Sequence, residues 1–210
     1  NYTGEEYAPR GLNVRERRDI SFIIKNPMDN LVYNKFRQVS PRYLAAENLW
    51  YLSGDDNVNS IVKYAPFWGT IADEDGKVNS NYGKYLFKTL DENGKSQFDK
   101  LYDLLSSDKD TRKALYVQPI CGDIANGVKD TRYTKDTICT ASYQFQIRNN
   151  KLELTVYMRS NDLMSGTCND IFFFTTLQIM MAQRLGIELG NYRHVTGNIH
   201  IYEKDWVENK

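Results

Sequence analysis

Histidine and cysteine are scarce in this chain, and each shortage removes a class of protein. Two histidines in 210 residues, and three cysteines (Cys121, Cys139 and Cys168) with no Cys-x-x-Cys spacing, support neither a zinc site nor a disulfide framework. No metal is expected. Neither sign of charge is in excess: 27 Lys plus Arg stand against 27 Asp plus Glu, so no basic field argues for a nucleic-acid polymer or an anionic membrane surface as partner. The longest apolar runs are only a few residues, and the first residues lack the segments of an export signal, so a cytoplasmic chain without a membrane span is expected. No repeat, low-complexity tract or linker divides the sequence, and its length fits one domain with a real core.

Aromatic residues are plentiful, with 15 Tyr and 9 Phe, which suits a strand-rich core and leaves rings to line a planar ligand. Residues 1–19 are polar and arginine-rich (Arg10, Arg15, Arg17, Arg18) and read as a mobile arm, followed by a strand from Ile20 that ends at the turn signal around Pro27. Ser40 as N-cap, Pro41 in the first turn and Gly54 as stop predict a helix over 41–53. A short helix follows in "NVNSIVKYAPFW", then a loop through "ADEDGKVNSNYG" and an amphipathic helix in "KSQFDKLYDLLSSDKDTR". "KALYVQP" reads as a strand and "CGDIANGVKDTRYTKD" as a solvated loop. Strands at 138–148 and 151–159 are joined by an Asn149-Asn150 turn, a strongly apolar helix runs from Asp170 to Gly186, and a strand closes the chain. Helices mixed with hairpin-linked strands predict an α+β domain around a large mixed or antiparallel sheet, with helices packed on one side.

Cys139 lies among the hydroxylic residues Thr137, Thr140 and Ser142, where a lone cysteine is ordinarily a small buried hydrophobe. A thiol becomes a nucleophile when a cation lowers its pKa from near ~8.5. An antiparallel partner strand ending in Arg159 would supply that cation.

These residues carry a resemblance. Arg159-Ser160-x-Asp162, Gly166 four residues on and a polar residue at 170 resemble the nucleotide-binding signature of the thymidylate synthase family, and Gln144-Phe145 follows the cysteine by five residues as in that family. "ENLWYLSGD", "FWGTIADEDGKVNSNYGK", "DTRK" and "GNIHIY" resemble further family motifs, in order, over nearly the whole chain. The resemblance implies a thymidylate synthase-like fold and covalent catalysis: Cys139 adds to C6 of a pyrimidine nucleotide, and C5 attacks the one-carbon unit of 5,10-methylenetetrahydrofolate. Arg159 and Ser160 would hold the 5′-phosphate, and Asn161 and Gln144 of the same motifs would also bind the substrate. Arg112, with Lys113 in place of the family's second arginine, would reach the phosphate site of a second copy in a homodimer. Arg10 is the choice for the arm's phosphate arginine, with Arg15 and Arg17 as competitors. His200 and Tyr202 would hold the sugar hydroxyl, their side chains facing the same way on one strand. Glu47 would organise water and protons, and Tyr82 would relay the C5 proton. Trp68, Asp162 and Gly166 would meet the folate. His194, without a motif behind it, is expected to be structural.

Departures from the family pattern point to a substrate. Asp170 stands where synthases place an asparagine, and a carboxyl suits cytosine, whose amino group donates and whose N3 accepts; the rival is that Asn169 turns inward instead. Thr140 replaces a histidine, Ile71 replaces a tryptophan, and the chain stops soon after Tyr202 without a folate-covering tail, all implying a wetter pocket. The resemblance within the family is therefore to phage deoxycytidylate hydroxymethylases, which capture the exocyclic methylene with water. A CMP hydroxymethylase, a dCMP methylase, a thymidylate synthase and an inactive nucleotide-binding paralogue stay open.

Overall fold

The burial pattern of the strands decides the architecture. In the strand Lys151–Met158, every second residue (Leu152, Leu154, Val156, Met158) is buried, and the helix Gly166–Leu185 lays Phe173, Phe174, Leu177 and Met181 into the same core. The structure, a computed structural model, describes residues 4–32, 35, 37–119 and 134–206. Among these, the strands are β1 (Glu5–Tyr7), β2 (Val14–Ile24), β3 (Leu115–Val117), β4 (Thr140–Arg148), β5 (Lys151–Met158), β6 (Asn161–Asp162) and β7 (Glu188–Tyr202). The helices are α1 (Pro41–Ser53), α2 (Phe67–Ile71), α3 (Gln97–Ser107) and α4 (Gly166–Leu185).

One sheet runs in the order β1-β2-β7-β5-β4-β3, with β6 also paired to β7. The β5–β7 and β6–β7 pairs are parallel and the others antiparallel. The parallel pair needs a crossover, and α4 provides it. Inside that crossover the buried Gln178 donates from Nε2 to the Leu152 carbonyl (2.7 Å) and the Asn191 carbonyl (3.2 Å), tying the helix to both strands it connects.

The opposite face carries exposed apolar side chains: Ile23, Leu115, Val117 and Tyr157. Register places Val117, Ser142, Tyr157 and Val195 in one row across it, and Leu115, Gln144, Thr155, Arg193 and Ile23 in the next. The sheet is thus mixed, with helices on one side, as expected.

Local chemistry explains the ends of α1. Ser40 Oγ accepts from the Tyr43 amide, Pro41 opens the helix, and Gly54 stops it in the left-handed region (φ 64°). The β4–β5 turn uses Asn149 and Asn150, both with positive φ (51° and 56°).

Two expectations are corrected. Residues 5–7 and 14–19, read as part of an arm outside the sheet, belong to β1 and β2. β2 begins six residues before Ile20 and pairs with β7 from Val14↔Tyr202 onward. Its alternating charged residues look unlike a core strand because this part of the sheet is largely exposed. Helix α4 begins at Gly166, four residues before the apolar run, so Asn169 and Asp170 lie in its first turns rather than ahead of it. Beyond the loop expected as far as Gly83, Lys84–Lys88 form a π-helical turn. Gly83 is required there because an added Cβ would lie 1.5 Å from the Tyr51 carbonyl oxygen. The loop expected over 121–136 lies outside the described residues up to 133, as does Cys121.

Candidate active site

The hairpin β4–β5 sets the first half of the site. Its ladder continues one pair beyond Thr140↔Met158, with the Arg159 amide donating to the Cys139 carbonyl (2.9 Å), so cysteine and arginine face one another across two strands. The Arg159 guanidinium then folds back: Nε donates to the Ile138 carbonyl (2.8 Å), Nη2 to the Thr137 carbonyl (3.0 Å), and Nη2 also lies 3.7 Å from Cys139 Sγ. Burial pushes the Cys139 thiol up to about 11, against the opposing pull of Arg159. The expected cation is in place, but desolvation of the sulfur outweighs it in the free protein.

After Arg159 and Ser160 the chain rejoins β7 as β6, in the register that β5 left (Met158↔Thr196, then Asn161↔Ile199). The two-residue break exposes Arg159 and half-exposes Ser160.

The second half is built from two helices. Glu47 of α1 is 4% exposed and accepts a hydrogen bond from the Tyr43 hydroxyl one helical turn earlier. Trp68 Nε1 in turn donates to the Tyr43 oxygen (3.0 Å). Burial raises Glu47 to about 8, the nearby Asp170 adds to that rise, and the Tyr43 and Asn169 side chains oppose it by hydrogen bonding. Asp170 is raised to about 7 by burial, against a hydrogen bond from Asn161 Nδ2 to its Oδ2 (2.8 Å). Both carboxyls are thus poised to hold or release a proton near neutral pH. Tyr82 is 4% exposed and stacks on Tyr51 (5.0 Å) and Phe174 (5.7 Å); burial raises its phenol, and the Thr140 side chain beside Cys139 opposes that rise. Ser80 holds this segment in place, donating from its amide and hydroxyl to Asp136 (2.6 and 2.7 Å) just ahead of the cysteine.

His200 and Tyr202 share a face of β7, with His200 Nδ1 3.2 Å from Asn198 Oδ1 and the two rings edge to face at 5.2 Å. Desolvation lowers His200, so its ring is neutral at pH 7. Among the arm arginines, Arg10 acts on Tyr202, Cys139 and His200, lowering each through its charge. Arg15 instead pairs with Glu6 (3.0 Å) and lies over the Trp206 ring. The left-handed conformation of Arg10 (φ 54°) turns the chain back between β1 and β2.

Not every expected residue joins this cluster. Gln144 lies on the outer face of the sheet, roughly 16 Å along β4 from Cys139, and its Nε2 donates to the Arg112 carbonyl (2.8 Å). It anchors the segment carrying Arg112, which is exposed together with Lys113 at the start of β3. Asn161, expected against the substrate, is 3% exposed, and both ends of its amide are committed to protein groups. Trp68 is 6% exposed within the aromatic core beside Trp50 (4.8 Å); its neighbour Phe67 is the ring that faces solvent. Asp162 Oδ1 accepts from the Met164 and Ser165 amides (2.8 and 3.1 Å), shaping the turn into Gly166. An added Cβ on Gly166 would lie 3.5 Å from Asp170 Oδ2 and 3.8 Å from Asp162 Cβ, so this glycine lines the carboxylate pair.

Sequence reading missed Tyr43, although Tyr43 and Glu47 are four apart on a helix, a spacing that signals contact. Asn169 does turn inward, as the rival reading had it, but beside Asp170 rather than instead of it: its side chain helps to lower Glu47, and its Oδ1 is buried without a hydrogen-bond partner among the described residues. His194, expected to be structural, is wholly buried and reaches Asn161 Oδ1 with Nε2 (3.0 Å).

Among the described residues, no group of three His, Cys, Asp or Glu could hold a metal ion, and no helix is long and apolar enough to cross a membrane. A family model described as Thymidylate synthase matches residues 22–209. The deoxyuridylate hydroxymethyltransferase of Bacillus phage SP01 is 34% identical over 97% of this chain, which spans 54% of that protein. The thermostable thymidylate synthase A from Bacillus subtilis superposes with a TM-score of 0.73 over 92% of this chain and 69% of its own, at 23% identity, and so shares the fold.

Proposed function

Because this chain belongs to the thymidylate synthase family, we propose that it is a folate-dependent 5-hydroxymethylase of a cytidine monophosphate, with dCMP as substrate. The observation that carries the reading is Asp170: a buried carboxyl, raised to about 7, stands where synthases place an amide. Near that pKa the group offers both an acceptor and a proton, which matches the amino group and N3 of cytosine. Against a fixed acceptor, uracil would lose a buried hydrogen bond at O4, a penalty on the order of 1–3 kcal/mol.

Cys139 Sγ forms the bond to C6 as its proton leaves, with Arg159 offsetting the charge on sulfur. Electron density then builds at C5, which attacks the one-carbon unit, and the Tyr82 hydroxyl carries the C5 proton away. Methylenetetrahydrofolate supplies a one-carbon unit to C5 at the formaldehyde oxidation level. The bond from that carbon to the folate nitrogen breaks and tetrahydrofolate leaves, water adds to the carbon, and Cys139 Sγ is expelled from C6 as the 5,6 double bond re-forms, so the balance is dCMP, methylenetetrahydrofolate and water giving 5-hydroxymethyl-dCMP and tetrahydrofolate, with no redox change. Glu47, at about 8, holds or moves the water's proton. For the folate, the residues fit in part. Asp162 offers a half-buried carboxylate beside Gly166, whereas Trp68 is turned into the core and Phe67 is the exposed ring. Arg10, Arg159 and Ser160 hold the phosphate, and His200 with Tyr202 the sugar.

A homodimer belongs to the same proposal. The exposed Ile23, Leu115, Val117 and Tyr157 form a self-complementary sheet face, and Arg112 at its rim reaches the second copy's phosphate site. A monomer by sedimentation that keeps full activity would overturn it.

The name of the phage relative favours a second reading, deoxyuridylate as the substrate. Tritium release from C5-labelled dCMP, CMP and dUMP with methylenetetrahydrofolate decides between them. Release from dCMP alone, without the absorbance of dihydrofolate, is expected. Release from dUMP alone transfers the assignment to uridylate, dihydrofolate formation makes the enzyme a methylase, and release from none leaves a silent paralogue.

A further inference from the structure

Asp170 is the end of a chain of buried hydrogen bonds that runs across three elements. Tyr192 Oη lies 2.8 Å from His194 Nδ1, His194 Nε2 3.0 Å from Asn161 Oδ1, and Asn161 Nδ2 2.8 Å from Asp170 Oδ2. Thr167 Oγ1 adds a second donor to Asn161 Oδ1 (2.7 Å). Tyr192 and His194 are wholly buried, and neither belongs to the cluster that meets the nucleotide in the proposed reaction.

The direction of the chain is fixed at its far end. Among the described residues the Tyr192 hydroxyl has no partner but His194, so accepting from the ring would leave its own proton buried and unpaired. It therefore donates to Nδ1. The ring, neutral because burial lowers it to about 4, then carries its single proton on Nε2 and donates to Asn161 Oδ1. With its oxygen taken, the Asn161 amide must present its NH2 to Asp170, and Oδ2 must accept. Any proton on this carboxyl sits on Oδ1.

We infer that Tyr192, His194 and Asn161 are positioning residues that give the Asp170 carboxyl a fixed polarity, one accepting and one donating oxygen, and that this polarity decides between cytosine and uracil. A carboxyl free to carry its proton on either oxygen would match both bases, because the two differ by exchange of donor and acceptor at positions 3 and 4. The aspartate alone does not discriminate; the phenol two residues along β7 from His194 makes it do so. This rests on the proposal that Asp170 reads the base, but not on which base it prefers.

The test is binding, so that it stands apart from catalysis. Dissociation constants for dCMP and dUMP are measured without folate for the wild-type chain, Tyr192→Phe and Asn161→Asp. In Tyr192→Phe the ring loses the donor that fixes its tautomer, and the wild-type preference, at least about tenfold, is expected to fall to about twofold. Asn161→Asp sets an acceptor against Oδ2, draws the shared proton to that edge, and is expected to move the preference further in the same direction. It serves alone if Tyr192→Phe does not fold. Proportional weakening of both nucleotides, as from a merely structural role, overturns the inference, and so does an unchanged ratio or a wild-type chain that does not discriminate. A wild-type preference for dUMP that collapses in the variants sinks the cytidylate proposal and leaves this inference standing.

Discussion

Cys139 and the carboxyls Glu47 and Asp170 belong to one cluster, but opposite means hold them. The thiol sits at the edge of a hairpin, and its partner cation comes from the residue directly across the ladder. The carboxyls lie on two helices and are raised by burial, with phenol and amide groups as their hydrogen-bond partners. The difference teaches where charge is wanted. An exposed arginine beside the thiol is open to solvent and to an incoming phosphate, whereas a neutral carboxyl can both give and take a hydrogen bond at a heterocycle. A buried ion pair could do neither without a large desolvation penalty.

The largest effect is expected from breaking the thiol side. Cys139→Ser should lower tritium release from C5-labelled nucleotide by at least about a thousandfold while nucleotide binding persists, since only the bond to C6 is removed. Retained exchange would remove the covalent step.

On the carboxyl side, Asp170→Asn exchanges a group that offers a proton and an acceptor for a fixed amide. The ratio of kcat/KM for dCMP over dUMP should fall by about 10- to 100-fold, the range set by one mispaired buried hydrogen bond. An unchanged ratio would mean that another residue reads the base.

Glu47 allows the burial argument itself to be tested. Its carboxyl keeps a proton up to about pH 8 in the folded chain, while the unfolded chain has lost it near ~4.3. Between pH 6.5 and 8 the folded state therefore binds the extra proton, and stability falls as pH rises, by about 2 kcal/mol over that window. Asp170, at about 7, acts in the same sense at the lower end. His194 acts in the opposite sense but only below about pH 6.5, because its folded value is depressed. Urea midpoints at pH 6.5 and 8 should thus differ in the wild-type chain and differ less in Glu47→Gln, where the smaller Asp170 contribution remains; an equal pH slope in both would show that this carboxyl is ionised throughout.

The smallest effect separates the arm arginines. Arg10→Ala should weaken nucleoside monophosphate binding about fivefold to tenfold through the loss of one charge-assisted contact, and Arg15→Ala should leave it within about twofold because that arginine is paired with Glu6 and stacked on Trp206. Equal losses would leave the choice among the arm residues open.

The two halves of the site also differ in how far they could be read ahead of the fold. The β4–β5 hairpin, its Asn149-Asn150 turn and the approach of Arg159 to Cys139 follow from period-two patterning and a short turn, both local properties. The same is true of α1, whose ends are marked by Ser40, Pro41 and Gly54. The early start of α4 was hidden because Gly166-Thr167-Cys168-Asn169 has no helical apolar pattern. Thr167 Oγ1 instead bonds the Asp162 carbonyl and Asn161, contacts that exist only once β6 is paired.

The sequence by itself determined the family and the placing of Arg159 opposite Cys139, because residue type, order and strand register are written along the chain. Tertiary structure alone decided that burial raises the thiol and both carboxyls, that Gln144 faces away while Asn169 faces in, and that Tyr192 and His194 stand behind Asp170. Desolvation and the direction of a hydrogen bond depend on what lies on every side of a group, and those neighbours come from elements far apart in the sequence.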